Sequence, residues 1–343
     1  MEKIRVAVLF GGPSGEYEVS LASAAAVMRH IPRDRYDLYK IAVDRNGEFQ
    51  LFRGGVHAVE TDKFGDDPRF LSPLVPQKGG FLLPGDSAVT IRPDVIFPVL
   101  HGTFGEDGRL QGILDYIGIP YVGCGVMSSA VAMDKILTKR ILSSSGVPVV
   151  PFVEVTGDHR DAAASVLGYP LFMKPSAGGS SLGASVVLSP EGLDAAYRAA
   201  CVYGTRVLAE RYVKGREIEV AVTDTENGPV ASRPGEVIPC ATFYDYDDKY
   251  KNGTAKTVFP ADVGEITEKR CRSIALSVFR LLGCRGLARV DFFLTEHALY
   301  FNEINTLPGF TDISLYPRMA CDALGCDADA LVAHLLSFAE EHP

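Results

Sequence analysis

The chain has 343 residues, 47% of them hydrophobic, and its 34 basic and 43 acidic side chains give a net charge of −9. This length predicts two or three domains, and the composition is that of an ordinary globular protein. The negative balance and the lack of any block of like charge argue against nucleic acid or an anionic membrane as the main partner.

The seven cysteines are scattered and odd in number, and none is spaced as C-x-x-C. A disulfide framework and a zinc site are therefore not expected, and a reducing cytoplasm is the natural compartment. The N-terminal segment has a short apolar run, which favours a first strand over a signal peptide. No stretch has the length needed to cross a bilayer, so we expect a soluble cytoplasmic protein.

Short apolar runs alternate with helical patterns in the first third of the chain. The runs at 4–10, 36–43 and 94–100 predict buried strands, and the segments 19–29 and 108–118 predict helices. Strands that alternate with helices favour an α/β fold with a parallel, doubly wound sheet.

The rest of the chain continues this mixture of elements. A helix is predicted over 126–145. Further strands are predicted near 149–155, 171–174, 183–188, 206–210, 217–224, 286–295 and 298–305, and further helices near 158–168, 190–202, 267–282 and 328–340. We expect three domains, with boundaries at 1–134, 135–217 and 218–343.

Three oxygen-bearing side chains lie on the last two predicted strands. Asp291 is on the first strand, and Glu303 and Asn305 on the second point to one face because residues two apart in a strand do so. If the strands pair as a hairpin, the three side chains meet. Oxygen ligands without His or Cys suit Mg²⁺ rather than zinc. The alternative is three unrelated polar residues at strand ends.

A loop of small residues, at 175–184, lies between two predicted strands. It lacks the G-K-[ST] of a Walker A motif, but its backbone N–H groups could bind phosphate oxygens. Lys174 just before it and Lys135 on the preceding helix are candidates to neutralise phosphate charge. A flexible Gly/Ser hairpin with ordinary surface lysines is the alternative.

Two further loops follow predicted strands of the first domain. His101 lies at a strand end before a helix, and Glu16 and Ser20 follow the first strand. Open α/β sheets bind ligands at the carboxyl ends of their strands. The acidic residues of "GEDG" are interpreted as helix capping. Together these features predict a nucleotide triphosphate site with magnesium, beside a small-substrate site in the first domain.

Five stretches together resemble the D-alanine–D-alanine ligase family of the ATP-grasp superfamily. They are "GGPSGEYEVSL", "LHGTFGEDGRLQG", "MKPSAGGSSLG", "TFYDYDDKY" and "LARVDFFLTEHALYFNEINTLPGFTDISLYP", in the family's order. The resemblance implies an N-terminal α/β domain that is followed along the chain by an ATP-grasp fold. It also implies ATP-dependent joining of two D-alanines through an acyl phosphate, for peptidoglycan precursor synthesis, and a homodimer.

The resemblance also assigns roles to individual residues. The catalytic set is Glu16, which holds the first substrate's ammonium, Ser180 and Tyr250, which bond to it, and the oxyanion stabilisers Arg289 and Gly309. The ATP-binding set is Lys135, Lys174, Ser181, Glu210, Arg211, Tyr212, Val213, Glu217 and Lys249. The substrate-binding set is His101, Ser314 and Leu315, and the ligands of two Mg²⁺ or Mn²⁺ ions are Asp291, Glu303 and Asn305.

Some positions bear on which substrate is used. Family members that make D-alanyl-D-lactate tend to lack the tyrosine found here as Tyr250, and those that make D-alanyl-D-serine tend to carry arginine where Leu315 stands. D-Alanine is therefore favoured, with D-serine and D-lactate as alternatives. The chain departs from many relatives at Tyr17, where histidine is frequent, and at Arg211, where lysine is frequent.

Three other functions compete with this one. Another ATP-grasp ligase shares the magnesium and phosphate features but not the paired "GEYEVS" and "HGTFGEDG" loops. A nicotinamide-dependent oxidoreductase also has a doubly wound domain, yet G-x-G-x-x-G is absent here. A non-catalytic nucleotide-binding regulator could lose Arg289 or the metal ligands, and this chain has them all.

Overall fold

A computed structural model describes residues 2–85, 89–157, 160–179, 182–238 and 256–342. Within these ranges, no helix is both long enough and apolar enough to cross a membrane. The strands form three separate sheets.

The first sheet is a mixed sheet of seven strands. They are β1 (Ile4–Gly11), β2 (Tyr36–Val43), β3 (Phe49–Phe52), β4 (Leu71–Gln77), β5 (Gly80–Leu83), β6 (Val89–Ile91) and β7 (Val95–Val99), in the spatial order β6-β5-β4-β3-β2-β1-β7. Only β2, β1 and β7 run parallel, and β2 to β6 pair antiparallel. The predicted parallel sheet is thus limited to three strands, because the connection at 44–48 is too short for a crossover of about a dozen residues.

The helices within and after this sheet differ from the prediction over 126–145. They are α1 (Tyr17–His30), α2 (Val56–Glu60), α3 (Arg109–Ile117), α4 (Val126–Met133) and α5 (Lys135–Ser144). The prediction of one helix over 126–145 is wrong, because Asp134 takes an extended conformation (φ −86°, ψ 99°). Its carboxylate accepts hydrogen bonds from the N–H groups of Ile136 and Leu137 and so starts a new helix.

The central sheet has four antiparallel strands. They are β8 (Phe152–Val155), β9 (Leu171–Pro175), β10 (Ser185–Val187) and β11 (Val207–Arg211), in the spatial order β10-β9-β11-β8. Two helices, α6 (Arg160–Leu167) and α7 (Leu193–Tyr203), pack on it around Leu171, Met173 and Val207.

The C-terminal sheet holds the hairpin that the sequence singled out. Its strands are β12 (Arg216–Thr223), β13 (Val230–Ala231), β14 (Gly235–Ile238), β15 (Lys256–Val258), β16 (Leu287–Leu294) and β17 (Leu299–Asn305). The strands β16 and β17 pair antiparallel with Asp291 opposite Glu303 and Arg289 opposite Asn305. The hairpin therefore brings the predicted oxygen ligands to one end of the sheet.

The last helices connect this sheet to the first one. They follow α8 (Glu265–Leu281) and are α9 (Leu315–Leu324) and α10 (Ala328–Glu341). Tyr316 of α9 and Leu335 of α10 share a buried cluster with Val8 and Phe97 of the first sheet. The C-terminal segment thus holds the first sheet against the third. The division into three domains stays a prediction.

Candidate active site

A single pocket collects most of the residues that the sequence predicted to act on the substrate. It lies where loops of the first sheet meet the β16–β17 hairpin. The predicted residues that line it are Glu16, His101, Lys135, Arg289, Glu303, Asn305, Gly309 and Ser314. Segments far apart in the chain thus meet in one cavity, as expected of an active site.

Glu16 lies between two glycines that belong to different parts of the fold. A Cβ atom on Gly102 would lie 2.8 Å from Glu16 Oε2, and one on Gly179 would lie 3.0 Å from Oε1. Gly102 also has a positive φ of 71°. Glycine is needed where a backbone approaches another group so closely. The phosphate-loop candidate therefore reaches the carboxylate that is predicted to hold the first substrate.

Arg289 and Asp291 form a bidentate ion pair on the β16–β17 hairpin. The Arg289 Nε and Nη2 atoms donate to Asp291 Oδ1 and Oδ2 at 2.8 and 2.7 Å. Arg289 Nε also lies 3.2 Å from Glu219 Oε2, and Asn305 Nδ2 donates to Asp291 Oδ2 at 3.0 Å. The guanidinium is thereby fixed in orientation at the pocket wall.

The residues proposed for magnesium have the right donor chemistry. Two carboxylates and one carboxamide oxygen are hard donors, which Mg²⁺ prefers when phosphates and water complete its shell. Among the described residues, no cluster of three or more His, Cys, Asp or Glu side chains is arranged to hold a metal. The role of Asp291, Glu303 and Asn305 as metal ligands stays a prediction.

Lys135 joins the small-residue loop to the hairpin. It is the first residue of α5, and its Nζ donates to the carbonyl oxygen of Gly178 at 2.8 Å. The same Nζ lies 3.5 Å from Glu303 Oε2. A positive charge is thus held between the predicted phosphate loop and a predicted metal ligand.

A buried cluster of three charged residues extends the site. Lys174 Nζ lies 2.7 Å from Glu210 Oε2, and Lys139 Nζ lies 2.7 Å from Glu210 Oε1. Burial favours a raised pKa for the Glu210 carboxyl, but the two lysines outweigh it and hold that pKa at about 2. Burial lowers the pKa of Lys139. Lys139 is a residue that the sequence analysis missed.

The predicted adenine and ribose segment joins the central and C-terminal sheets. Arg211 ends β11 with an exposed side chain, while Tyr212 and Val213 are half-buried in the connection to β12. Glu217 lies on β12 opposite Phe293 of β16. Their roles in nucleotide binding stay predictions.

Glu106 is a second residue that the sequence analysis missed. Its carboxylate accepts hydrogen bonds from the N–H groups of Gly102 and Leu307 at 2.7 and 3.1 Å. Burial, reinforced by Glu16, raises the pKa of Glu106 to about 8. The interpretation as helix capping is correct for Asp107, which accepts from Arg109 N–H, and wrong for Glu106.

His101 lines the pocket with both ring nitrogens engaged. Nδ1 lies 2.9 Å from the carbonyl oxygen of Leu307, and Nε2 lies 3.1 Å from Ser23 Oγ. Ser23, on α1, is fully buried and was also missed in the sequence. Its hydroxyl group could not be told from a core serine by spacing alone.

Of the two residues predicted to bind the second substrate, Ser314 lines the pocket and Leu315 does not. Ser314 precedes α9 and lines the pocket, where its Oγ accepts a hydrogen bond from Thr311 N–H at 3.1 Å. Leu315 is 2% exposed and packs against Gly235. It is not among the described residues that line the pocket. The role of Leu315 in substrate binding stays a prediction.

Four predicted residues fall on parts of the chain that the structure leaves undescribed. They are Ser180, Ser181, Lys249 and Tyr250. Their roles stay predictions.

Comparison with known families accounts for almost the whole chain. The family model described as "D-ala D-ala ligase N-terminus" matches residues 5–124, and "D-ala D-ala ligase C-terminus" matches residues 141–337. The chain belongs to the D-alanine–D-alanine ligase family. It is therefore an ATP-dependent ligase, and the recognition made from the five stretches is confirmed.

Individual family members are similar over their full lengths. The D-alanine–D-alanine ligase of Chlorobium limicola is 41% identical and that of Deinococcus radiodurans 43% identical, with at least 99% of each chain covered. Among solved structures, the VanG D-Ala:D-Ser ligase of Enterococcus faecalis superposes with a TM-score of 0.89 at 36% identity, covering 98% of this chain and 100% of that one. The D-alanine–D-alanine ligase of Coxiella burnetii superposes with a TM-score of 0.86 at 32% identity, covering 99% and 95%. The predicted ATP-grasp fold is thereby confirmed.

Proposed function

We propose that the chain joins two D-alanine molecules to D-alanyl-D-alanine, coupled to conversion of ATP to ADP and phosphate, as a step in making peptidoglycan precursors. One observation carries the proposal. A carboxylate suited to an ammonium group, Glu16, shares its pocket with the two proposed oxyanion donors, Arg289 and the Gly309 backbone. An amino acid bound by its ammonium at Glu16 has its carboxyl group within the same cavity.

The reaction has two steps. A carboxylate oxygen of the first D-alanine attacks the γ-phosphorus of ATP, ADP leaves, and an acyl phosphate forms. The neutral amine of the second D-alanine then attacks the acyl carbon, and the amine loses its proton. Collapse of the tetrahedral species expels phosphate and leaves the peptide bond. Ser180 and Tyr250 are proposed to form hydrogen bonds with Glu16, to close the site and to assist in handling that proton.

Arg289 and Gly309 are proposed to stabilise the oxyanion of the tetrahedral species. The ion pairs of Arg289 with Asp291 and Glu219 orient its guanidinium in advance. Among the described residues, no acceptor engages the Gly309 N–H, so this donor is available. Donors that are fixed before charge develops are worth more than donors that must reorganise.

ATP is proposed to bind where the central and C-terminal sheets meet. Lys135 and Lys174, with Lys249 and the loop that includes Ser181, are assigned to the phosphates. The remaining nucleotide contacts are assigned to Glu210, Arg211, Tyr212, Val213 and Glu217. Burial of Lys174 and Glu210 supports this, because a desolvated charge acts more strongly on a ligand than an exposed one.

Two Mg²⁺ or Mn²⁺ ions are proposed to be held by Asp291, Glu303 and Asn305. When bound, such ions neutralise the charge of the nucleotide phosphates. The donor set of the hairpin fits them. Lys135, 3.5 Å from Glu303, adds a fixed positive charge on the same side.

The choice of second substrate is proposed to be D-alanine. His101 and Ser314 line the pocket, and Leu315 supports Ser314 from the core. D-Serine and D-lactate remain the alternatives, since VanG, which is similar in fold, is a D-Ala:D-Ser ligase.

The test is phosphate release from ATP and Mg²⁺ with D-alanine, with L-alanine, and with D-alanine plus D-serine or D-lactate, with products identified by mass. D-Alanyl-D-alanine formed only from the D-amino acid supports the proposal. If D-alanyl-D-serine or D-alanyl-D-lactate is the main product at neutral pH, the proposed reaction type stands and the proposed choice of second substrate is overturned. No ATP turnover from folded protein overturns the proposal.

The oligomeric state and the cellular location are proposed from the family and from the chemistry of the chain. A homodimer is the expectation from the family, and light scattering of the purified protein tests it. A cytoplasmic location is supported by the use of ATP and by the free thiols of the described cysteines.

A further inference from the structure

Residues 306–310 are the first part of the loop between β17 and α9. Side chains from the N-terminal part of the chain hold them in place. His101 bonds the carbonyl oxygen of Leu307, and Glu106 accepts from the N–H of the same residue. Ser23 Oγ accepts from the N–H of Phe310 at 3.1 Å. Gly309 therefore lies between two backbone positions that are fixed from outside its own domain.

The hydrogens in this network can be assigned by the acceptors present. A carbonyl oxygen only accepts, so His101 Nδ1 carries a proton towards Leu307. Burial lowers the pKa of His101, with only partial opposition from Glu16, so the ring is neutral and Nε2 is an acceptor. Ser23 then donates its single O–H to His101 Nε2 and uses a lone pair for the Phe310 N–H. His101 Nδ1, His101 Nε2 and Ser23 Oγ thus each have a hydrogen-bond partner.

We propose that Ser23 is a positioning residue for the ligase reaction, which through His101 and Phe310 fixes the N–H of Gly309 where the oxyanion develops. The inference rests on the proposed function. Ser23 is fully buried and does not line the pocket, so it acts through the loop and not on the substrate. Its Oγ lies 3.8 Å from the position that a Gly309 Cβ would occupy.

The inference predicts which of the two chemical steps depends on Ser23. Phosphoryl transfer to the first D-alanine does not need the Gly309 N–H, whereas attack by the second amine does. Without the Ser23 hydroxyl group, the N–H of Phe310 and the Nε2 atom of His101 both lose their hydrogen-bond partner. A small misplacement of an oxyanion donor slows the step that it serves about 10- to 100-fold.

The test compares Ser23→Ala with Ser232→Ala. Ser232 is a matched control because it is 1% exposed and its Oγ also accepts a backbone N–H, from Ala221 at 3.0 Å, away from the pocket. The first step is followed by isotopic scrambling of the β–γ bridge oxygen of ATP with D-alanine present, and the whole reaction by dipeptide formation. Melting temperatures are recorded for all variants.

We expect Ser23→Ala to lower kcat for dipeptide formation about 10- to 100-fold while the rate of scrambling does not fall, because an acyl phosphate that waits longer for the second amine reverts to ATP at least as often. Ser232→Ala should change neither. The inference is overturned if the two variants have the same kcat, or if scrambling and dipeptide formation fall together. If Ser23→Ala does not fold, Ser23→Cys, whose thiol is a weak hydrogen-bond donor and acceptor, is measured in the same way with the same two outcomes. Wild-type protein that makes no dipeptide overturns the proposed function instead.

Discussion

Lys139 Nζ lies 2.7 Å from Glu210 Oε1, and Lys139 is fully buried while Glu210 is 2% exposed. Glu210 also pairs with Lys174 at 2.7 Å, so one carboxylate is the ion-pair partner of two lysines. A buried carboxylate with two such partners stays ionised, which keeps Lys174 in place for a nucleotide.

Replacement of Lys139 by methionine should destabilise the fold and weaken ATP binding. The change leaves Glu210 with Lys174 as its one partner, so the loss should be smaller than the about 3–5 kcal/mol of a buried charge left without any partner. Urea unfolding measures the free energy, and steady-state kinetics should show a raised KM for ATP with the KM for D-alanine unchanged. The double variant Lys139→Met, Glu210→Gln leaves the buried Lys174 ammonium without its carboxylate partner and should be less stable than Lys139→Met alone. A double variant as stable as Lys139→Met would contradict the assigned role of the charge.

Glu106 should make the stability of the protein depend on pH. Its pKa is raised from 4.5 to about 8, chiefly by burial and then by Glu16, so the folded state binds a proton that the unfolded state releases. The stabilisation is complete below the unfolded pKa and is lost as pH rises through about 8. Glu106→Gln removes this titration. The free energy of unfolding of wild type, relative to that variant, should therefore fall between about pH 5 and pH 9.

Glu154→Gln is the control for this experiment. Arg206 lowers the pKa of Glu154, so the stabilisation from that carboxylate changes only in acid, as pH falls below its unfolded value. The free energy of unfolding of Glu154→Gln should therefore change with pH in parallel with that of wild type between about pH 5 and pH 9. Parallel curves for Glu106→Gln as well would mean that Glu106 is ionised throughout.

The sequence was sufficient to predict the β16–β17 hairpin and insufficient to predict the contacts that support it. Glu303 and Asn305 share a face by strand alternation, and Asp291 lies opposite Glu303 because neighbouring strands pair, which is also a local property. Glu106 stands next to Asp107, and nothing local tells the carboxylate that turns inward from the one that caps α3. That difference depends on Leu307, which approaches only in the folded chain.

Lys139 shows the same limit. A lysine one helical turn after Lys135 resembles an ordinary surface residue, and its burial depends on Glu210 from a strand of the central sheet. The break at Asp134 was missed because the apolar pattern continues across it, while a cap depends on one side-chain oxygen. Predictions thus hold where one element decides, and fail where two distant elements must meet.

Gly309→Ala should slow dipeptide formation without affecting ATP binding. A Cβ at this position would lie 2.9 Å from Ser314 Oγ, which is held by Thr311, so the loop must shift. We expect kcat to fall about tenfold or more with the KM for ATP unchanged, measured by steady-state kinetics. Gly112→Ala is the control, since that exposed position in α3 has nothing within 4 Å of the new atom. Equal activity of the two variants would show that the loop tolerates the shift.

The hairpin should determine the dependence of the reaction on magnesium. Removal of divalent ions by a chelator should abolish ATP turnover, and Mg²⁺ or Mn²⁺ should restore it. Glu303→Gln keeps the shape of the side chain but loses its charge, so the Mg²⁺ concentration for half-maximal turnover should rise about tenfold or more. Titration of Mn²⁺ followed by electron paramagnetic resonance gives the same comparison without turnover.

Glu296→Gln provides the matched control for that titration, because Glu296 lies in the turn of the same hairpin with its side chain 88% exposed. It removes one negative charge from the hairpin without touching the pocket, so its metal dependence should equal that of wild type. If Glu303→Gln and Glu296→Gln behave alike, the carboxylate of Glu303 serves Lys135, 3.5 Å away, and not a metal ion. A specific effect of Glu303→Gln assigns the carboxylate to the ion, since only that position combines charge with the oxygen donors of Asp291 and Asn305.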